Sequence, residues 1–76
     1  MRRVFTIDVQ GIGPMLYTVH EDEIKRFHVA IQEWAASPSP RKIFSFHVGH
    51  EMRFVRLDMV SSYSIPDEVM AQIEGA

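Results

Sequence analysis

The chain has 76 residues, with 8 Lys and Arg against 10 Asp and Glu, which gives a formal net charge of −2 at pH 7. This length predicts one domain spanning residues 1–76. Apolar residues make up 46% of the chain and charged residues 24%, proportions typical of a folded globular protein rather than a disordered one. The chain contains no cysteine, which excludes disulfide scaffolds, thiolate metal sites and cysteine nucleophiles.

The composition also bears on location. No stretch reaches the roughly 20 apolar residues that a helix needs to cross a bilayer, and Asp8 and Gln10 interrupt the N-terminal segment where a signal peptide would need an apolar run. The absence of cysteine favours a reducing compartment. We therefore expect a cytoplasmic protein without membrane contact.

The N-terminal part of the chain predicts a β-hairpin. Residues 4–9 alternate apolar and polar side chains with a period of two, the pattern of a half-buried strand. Residues 15–20 repeat that pattern and predict a second strand. The intervening residues 11–14, Gly-Ile-Gly-Pro, predict the turn between the two strands.

A helix is expected next. Thr18 and Glu21 have the spacing of a capping box, and the two prolines within residues 37–40 predict the end of the helix. An apolar stripe with a period of 3.6 residues defines the buried side. That stripe comprises Ile24, Phe27, Ile31 and Trp34. His28 flanks the stripe and is expected to be half-buried.

The second half of the chain predicts more strands and a short helix. Residues 42–48 and 52–59 both alternate, and residues 49–51, Gly-His-Glu, predict a tight turn between them. Residues 60–65 either extend the last strand past a bulge or form a short fifth strand. Pro66 is expected to open a short C-terminal helix.

Together these elements predict an α+β fold of order β-β-α-β-β. An antiparallel sheet of four or five strands packs on one central helix, and a short C-terminal helix follows. The period of the strands assigns twelve residues to the covered face of the sheet. They are Phe5, Ile7, Val9, Met15, Tyr17, Val19, Phe44, Phe46, Val48, Val55, Leu57 and Met59.

The opposite face of the sheet mixes apolar and polar residues, as surfaces that bind a partner do. Seven of its residues are predicted to form a binding face. They are Leu16, His20, Ile43, His47, Phe54, Arg56 and Asp58. The chain is also rich in aromatic residues and methionine for its length, with 5 Phe, 2 Tyr, 1 Trp and 5 Met. The first hypothesis is therefore a small interaction module that forms a dimer or higher homo-oligomer, or binds another protein, and needs no cofactor.

The second hypothesis is a metal-dependent binding protein or small enzyme. His20, His47, His50 and Glu51 carry imidazole and carboxylate groups near the predicted hairpin turn, and such groups suit a divalent metal if three or four converge. Their spacing matches no known metal motif, and exposed hairpin histidines have the same pattern.

The third hypothesis is binding of single-stranded nucleic acid. Residues 41–58 contain four Lys and Arg against two Asp and Glu, and Phe44, Phe46 and Phe54 interleave with them in the manner of base-stacking sites. The assignment of Phe44 and Phe46 to the core and the net charge of −2 both argue against this hypothesis. Nucleic acid is therefore not the expected partner.

Catalysis is not expected from these residues. Asp8, His20, His47, Arg56 and Asp58 share the predicted outer face and offer an acid, a base and an anion-binding group. No nucleophile motif or phosphate-binding loop accompanies them. The simpler interpretation is an ion pair of Arg56 with Asp8 or with Asp58.

Overall fold

The computed structural model describes residues 1–75. Its elements, in chain order, are β1 (Arg2–Val9), β2 (Gly13–His20), α1 (Glu21–Ala36), β3 (Ile43–Val48), β4 (Glu51–Arg56), a 3₁₀ turn (Leu57–Met59), β5 (Val60–Ser64) and α2 (Asp67–Glu74). This order confirms the predicted α+β class, the central helix and the short C-terminal helix. Of the two alternatives for residues 60–65, the structure has the short fifth strand.

The five strands form two antiparallel sheets rather than the single sheet that the sequence predicted. One sheet has the order β2-β1-β5 and the other is the β3–β4 hairpin. The division arises because β5 leaves the hairpin and pairs with β1, where Thr6 lies opposite Ser64. As a result, β4 pairs with only one strand among residues 1–75.

Residues 57–59 differ from the prediction. The alternating pattern extended the fourth strand to residue 59, but β4 ends at Arg56 and a 3₁₀ turn follows. The backbone N–H of Leu57 donates to the carbonyl of Lys42 at 2.9 Å, which closes the hairpin ladder. The turn then redirects the chain so that the N–H of Gln10 reaches the carbonyl of Met59 at 2.8 Å. Within this 3₁₀ turn, Leu57 and Met59 keep the two-residue apolar spacing of a strand. The sequence pattern therefore did not distinguish the turn from a strand.

The core lies between α1 and both sheets. Its fully buried members are Phe5, Ile7, Val19, Ile24, Phe27, Phe44, Phe46, Leu57 and Val69. Phe27 of α1 meets Phe5 of one sheet edge-on at 5.2 Å between ring centroids and Phe44 of the other sheet at 5.3 Å. Offset and edge-on aromatic pairs of this kind add stability beyond their buried area. A single helix side chain thus joins the two sheets.

The predicted inward positions agree with the core. The six predicted residues that are not fully buried are all half-buried, namely Val9, Met15, Tyr17, Val48, Val55 and Met59. Of the helix stripe, Ile24 and Phe27 are fully buried, and Ile31 and Trp34 are half-buried against the core. The strand and helix periods therefore identified the buried faces correctly.

The helix does not start at the predicted capping box. Thr18 lies inside β2 and pairs with Val4 of β1, and the N-cap is His20, whose Nδ1 accepts a hydrogen bond from the backbone N–H of Asp22 at 3.1 Å. The β1–β2 ladder continues to the pair Arg2 and His20, so residue 18 is held in the strand.

The C-terminus of α1 and the start of α2 lie where the prolines of the sequence predict them. α1 stops at Ala36, directly before the proline-containing segment, and its C-cap is Ser37. α2 begins directly after Pro66 and buries Val69. Neither helix of the described chain is long and apolar enough to span a membrane.

Candidate functional site

The outer side of the β3–β4 hairpin carries exposed apolar side chains. Ile43 is 56% exposed, Met52 42% and Phe54 69%. In the hairpin register, Phe54 lies opposite Ser45. We call this surface the hairpin face; it consists of Ile43, Ser45, His47, Met52, Phe54 and Arg56. Its three large apolar residues occupy neighbouring positions on two adjacent strands, so they form one patch rather than scattered exposures.

The outer edge of β4 is unpaired. Val48 and Glu51 flank a two-residue turn, in which Gly49 has a φ of +62°, as the first turn position of a type II′ hairpin requires. The bond from the N–H of Leu57 to the carbonyl of Lys42 lies in the same ladder. Because hydrogen-bonded pairs alternate in an antiparallel ladder, the backbone groups of Met52, Phe54 and Arg56 point away from β3.

The structure gathers four of the seven residues predicted for the binding face. Ile43, His47, Phe54 and Arg56 all lie on the hairpin face. The three other residues lie elsewhere: Leu16 is exposed on β2 of the other sheet, His20 caps α1 and Asp58 belongs to the 3₁₀ turn. The separation follows from the division of the strands into two sheets.

Arg56 and Asp58 form a two-pronged ion pair. The Nε of Arg56 donates to Oδ1 of Asp58 at 3.1 Å and its Nη2 donates to Oδ2 at 2.7 Å. Hydrogen bonds from Arg56 lower the pKa of Asp58, with a further contribution from the backbone N–H of Arg41, and the same pair raises the pKa of Arg56. Of the two partners that the sequence offered for Arg56, Asp58 is therefore the one it contacts. The charges of Arg56 and Asp58 therefore neutralise each other next to Phe54.

An apolar groove of about 310 Å³ adjoins the hairpin face. Phe54 and Arg56 contribute to both surfaces. The groove is lined by Val9, Ile12, Met15, Tyr17, Phe54, Val55, Arg56 and Met59. Sequence reasoning placed Met15, Tyr17 and Met59 in the core and did not single out Ile12. The one available signal was Ile12 itself, a large apolar residue between two turn glycines, which is 71% exposed.

His20 and His47 line a separate cleft of about 310 Å³, together with Arg2, Asp22, Glu23 and Gly49. Most polar groups here already have partners. The Nδ1 of His20 accepts the Asp22 backbone N–H. Glu23 accepts the backbone N–H of His47 through Oε2 and a guanidinium N–H of Arg26 through Oε1, each at 2.8 Å. The cleft therefore mainly anchors the first turn of α1.

The four residues of the metal hypothesis do not converge. His50 lies in the hairpin turn, and Glu51 begins β4, where its Oε2 is 3.3 Å from Nη2 of Arg53. Across residues 1–75, no group of three or more His, Cys, Asp or Glu side chains is positioned to hold a metal ion. A metal at His20, His47, His50 and Glu51 stays a prediction.

The aromatic residues of the nucleic-acid hypothesis are divided. Phe44 and Phe46 are buried, as the core assignment predicted. The guanidinium of Arg26 lies 5.2 Å from the centre of the Phe44 ring, which covers this ring further. Of the three phenylalanines, only Phe54 has an exposed ring for stacking.

His28 is half-buried, as predicted, and has a structural partner. Its Nδ1 lies 3.0 Å from the hydroxyl oxygen of Tyr63 on β5. Burial raises the pKa of Tyr63. The pair connects α1 to the three-stranded sheet, and it lies apart from the hairpin face.

Fold and surface together define a small α+β domain with an exposed apolar hairpin whose strand β4 has an unpaired outer edge. Comparisons of the chain with protein-family models, with curated proteins and with solved structures gave no match.

Proposed function

We propose that the protein is a small, cytoplasmic, homo-oligomerising interaction module without intrinsic catalysis, and that it associates through the hairpin face. The observation that carries the proposal is Phe54, which is 69% exposed on a strand with one unpaired edge. Contiguous apolar surface of this kind marks interaction sites in folded proteins. The cytoplasmic location rests on the sequence, which contains no cysteine.

The energetics support burial of this face by a partner. Full burial of a phenylalanine side chain stabilises by about 1.5–3 kcal/mol relative to its exposure, and aromatic residues and arginine are the side chains that most often dominate binding energy. Phe54 offers the aromatic ring, and Ile43 and Met52 extend the apolar area around it. Arg56 already has Asp58 as its carboxylate partner, so burial of Phe54 by a partner does not leave an unpaired charge in the interface.

The test is the oligomeric state of the wild type and of Phe54→Asp, measured by native mass spectrometry on protein purified without a His tag or chelators. We expect an oligomeric wild type and a monomeric, folded variant, because a carboxylate at the centre of an interface must lose its hydration. Val29→Asp is the matched control. Val29 is also an exposed apolar residue, but it lies on α1, and the control should remain oligomeric.

Two results would contradict the proposal. A monomeric wild type would remove self-association, and an oligomeric Phe54→Asp would remove the hairpin face as its site. An additional mass equal to a divalent metal, lost in His20→Ala, would instead favour the metal-dependent hypothesis.

A further inference from the structure

We infer that the partner is a second copy of the chain, joined by antiparallel pairing of the two β4 edges, so that the two hairpin faces become one continuous surface with a pair of Phe54 side chains at its centre. The inference rests on the proposed function and adds the mode of association. In the resulting dimer, two hairpins form one continuous four-stranded sheet of order β3-β4-β4-β3.

Both outer edges of the hairpin sheet lack a strand partner within residues 1–75, and they differ in one bond to the helix. On the β3 edge, the outward N–H of His47 is bonded to the carboxylate of Glu23 at 2.8 Å. On the β4 edge, the backbone groups of Met52, Phe54 and Arg56 point outward, and no strand of residues 1–75 pairs there. Unpaired strand edges are templates for pairing with another chain. β4 contains no proline, and its ladder with β3 runs without a register shift, so the edge is straight enough to accept a strand.

Symmetry limits the registers that two β4 strands can adopt. A two-fold axis perpendicular to the sheet keeps outer faces on the same side, so an outward-facing residue must lie opposite another outward-facing residue. For β4, two registers meet this condition and pair five residues of one copy with five residues of the other. One is centred on Phe54 and the other on Arg53.

Charge separates these two registers. Centring on Arg53 places two guanidinium groups directly opposite each other, at a Cα separation of roughly 4.5 Å, and like charges in that position destabilise a sheet. Centring on Phe54 places Arg53 opposite Val55 and Met52 opposite Arg56, so no like charges face each other. It also brings the two Phe54 side chains together, with Cα atoms roughly 5.5 Å apart. Of the two registers, the one centred on Phe54 therefore avoids directly opposed guanidinium groups and pairs the two aromatic rings.

Disulfide trapping tests the register, since the chain has no cysteine of its own. The variants Met52→Cys and Arg56→Cys are purified separately, mixed and oxidised. Both variants keep Phe54, the residue at the centre of the inferred interface. The inferred register places residue 52 of one copy opposite residue 56 of the other, within the Cα range of about 4.4–6.8 Å that a disulfide spans. We expect the mixed disulfide to predominate over either homodimeric disulfide, as resolved by mass. Glu51→Cys mixed with Val55→Cys, which keep Arg53 and which only the register centred on Arg53 places opposite each other, should cross-link poorly.

Removal of a single backbone donor tests the edge itself. Met52→Pro deletes an N–H that points away from β3, so the intramolecular ladder is kept, and proline is tolerated at such edge positions. Met52→Ala is the matched control for the lost side chain. We expect Met52→Pro to be folded by circular dichroism and at least tenfold weaker in self-association than Met52→Ala. If Met52→Pro fails to fold, the cross-linking result decides.

The outcomes separate this inference from the proposed function. An oligomeric wild type without the mixed 52–56 disulfide, or with efficient cross-linking of Glu51→Cys to Val55→Cys, overturns the β4 register and leaves the proposed function in place. A monomeric wild type overturns both. Predominant mixed disulfide together with weak association of Met52→Pro supports both.

Discussion

The backbone N–H of His47 donates a 2.8 Å hydrogen bond to Oε2 of Glu23. This bond links the outer edge of β3 to the first turn of α1, and it gives a partner to an amide that has none in the sheet. The Oε1 atom of the same carboxylate accepts from Arg26 at 2.8 Å, and the Glu23 side chain is only 16% exposed. Glu23 therefore fixes the helix against the hairpin and gives one outward amide of the β3 edge a partner.

Glu23→Ala should lower the free energy of unfolding by about 1.5–3 kcal/mol, the usual contribution of a hydrogen bond to a charged group. Glu23→Gln should cost less, because the amide oxygen keeps an acceptor for His47 without the charge. Urea denaturation measures both. Glu33→Ala is the matched control, since Glu33 lies exposed on the same helix, and it should change stability by less than about 0.5 kcal/mol. An equal loss in Glu33→Ala would mean that the bond to His47 is not the cause.

Much of the fold was predictable from the local spacing of apolar residues. The alternation around Phe44 and Phe46 assigned both residues to the core, and the spacing of Ile24 and Phe27 gave the buried side of α1. The division into two sheets was not readable, because it depends on which distant strand β5 pairs with. The helix start was predicted too early because the capping signal at Thr18 competes with the β1–β2 ladder, and the ladder prevails.

The candidate surface, like the fold, was predictable only where it follows from local patterns. Once Phe44 is inside, the strand period and the hairpin register place Ile43 and Phe54 on the outer face. The separation of Leu16 from that face required the sheet assignment. The groove beside Phe54 required the positions of Ile12 and Met59, which come from different loops and meet only in three dimensions. The choice of Asp58 over Asp8 by Arg56 was likewise beyond the sequence.

The pair of Arg56 and Asp58 should make stability depend on acid pH. Since the hydrogen bonds from Arg56 lower the folded-state pKa of Asp58 below its ordinary value of 3.8, the stabilisation is present above the unfolded-state pKa. It is lost as pH falls through the lower folded-state pKa. Asp58→Asn should therefore be less stable than the wild type at pH 7, and the difference should shrink below a pH of about 4.

Urea denaturation across this pH range measures the effect, and a double-mutant cycle isolates the pair. In an Arg56→Gln background, Asp58→Asn should lose most of its pH-dependent cost. Added salt should also reduce that cost, because both side chains reach solvent. A pH-independent difference between wild type and Asp58→Asn would contradict the predicted role of the carboxylate charge.

Arg41 has a φ of +62°, and it is the only non-glycine residue of the described chain with a positive φ. An L-residue in the left-handed region carries a penalty of roughly 1–2 kcal/mol, which glycine avoids. The backbone N–H of Arg41 contributes to the lowered pKa of Asp58, and glycine keeps that N–H. Arg41→Gly should therefore be more stable than Arg41→Ala by about 1 kcal/mol, the remainder of the penalty being offset by the greater freedom of glycine in the unfolded chain.

The comparison with Arg41→Ala separates backbone strain from side-chain charge. Both variants remove the guanidinium, but alanine keeps the Cβ atom that disfavours a positive φ. If strain limits stability at this position, thermal and urea unfolding will show a gain in Arg41→Gly that Arg41→Ala lacks. If the two variants change stability equally, the side chain of Arg41 controls stability there, and the turn before β3 tolerates its conformation without a measurable penalty.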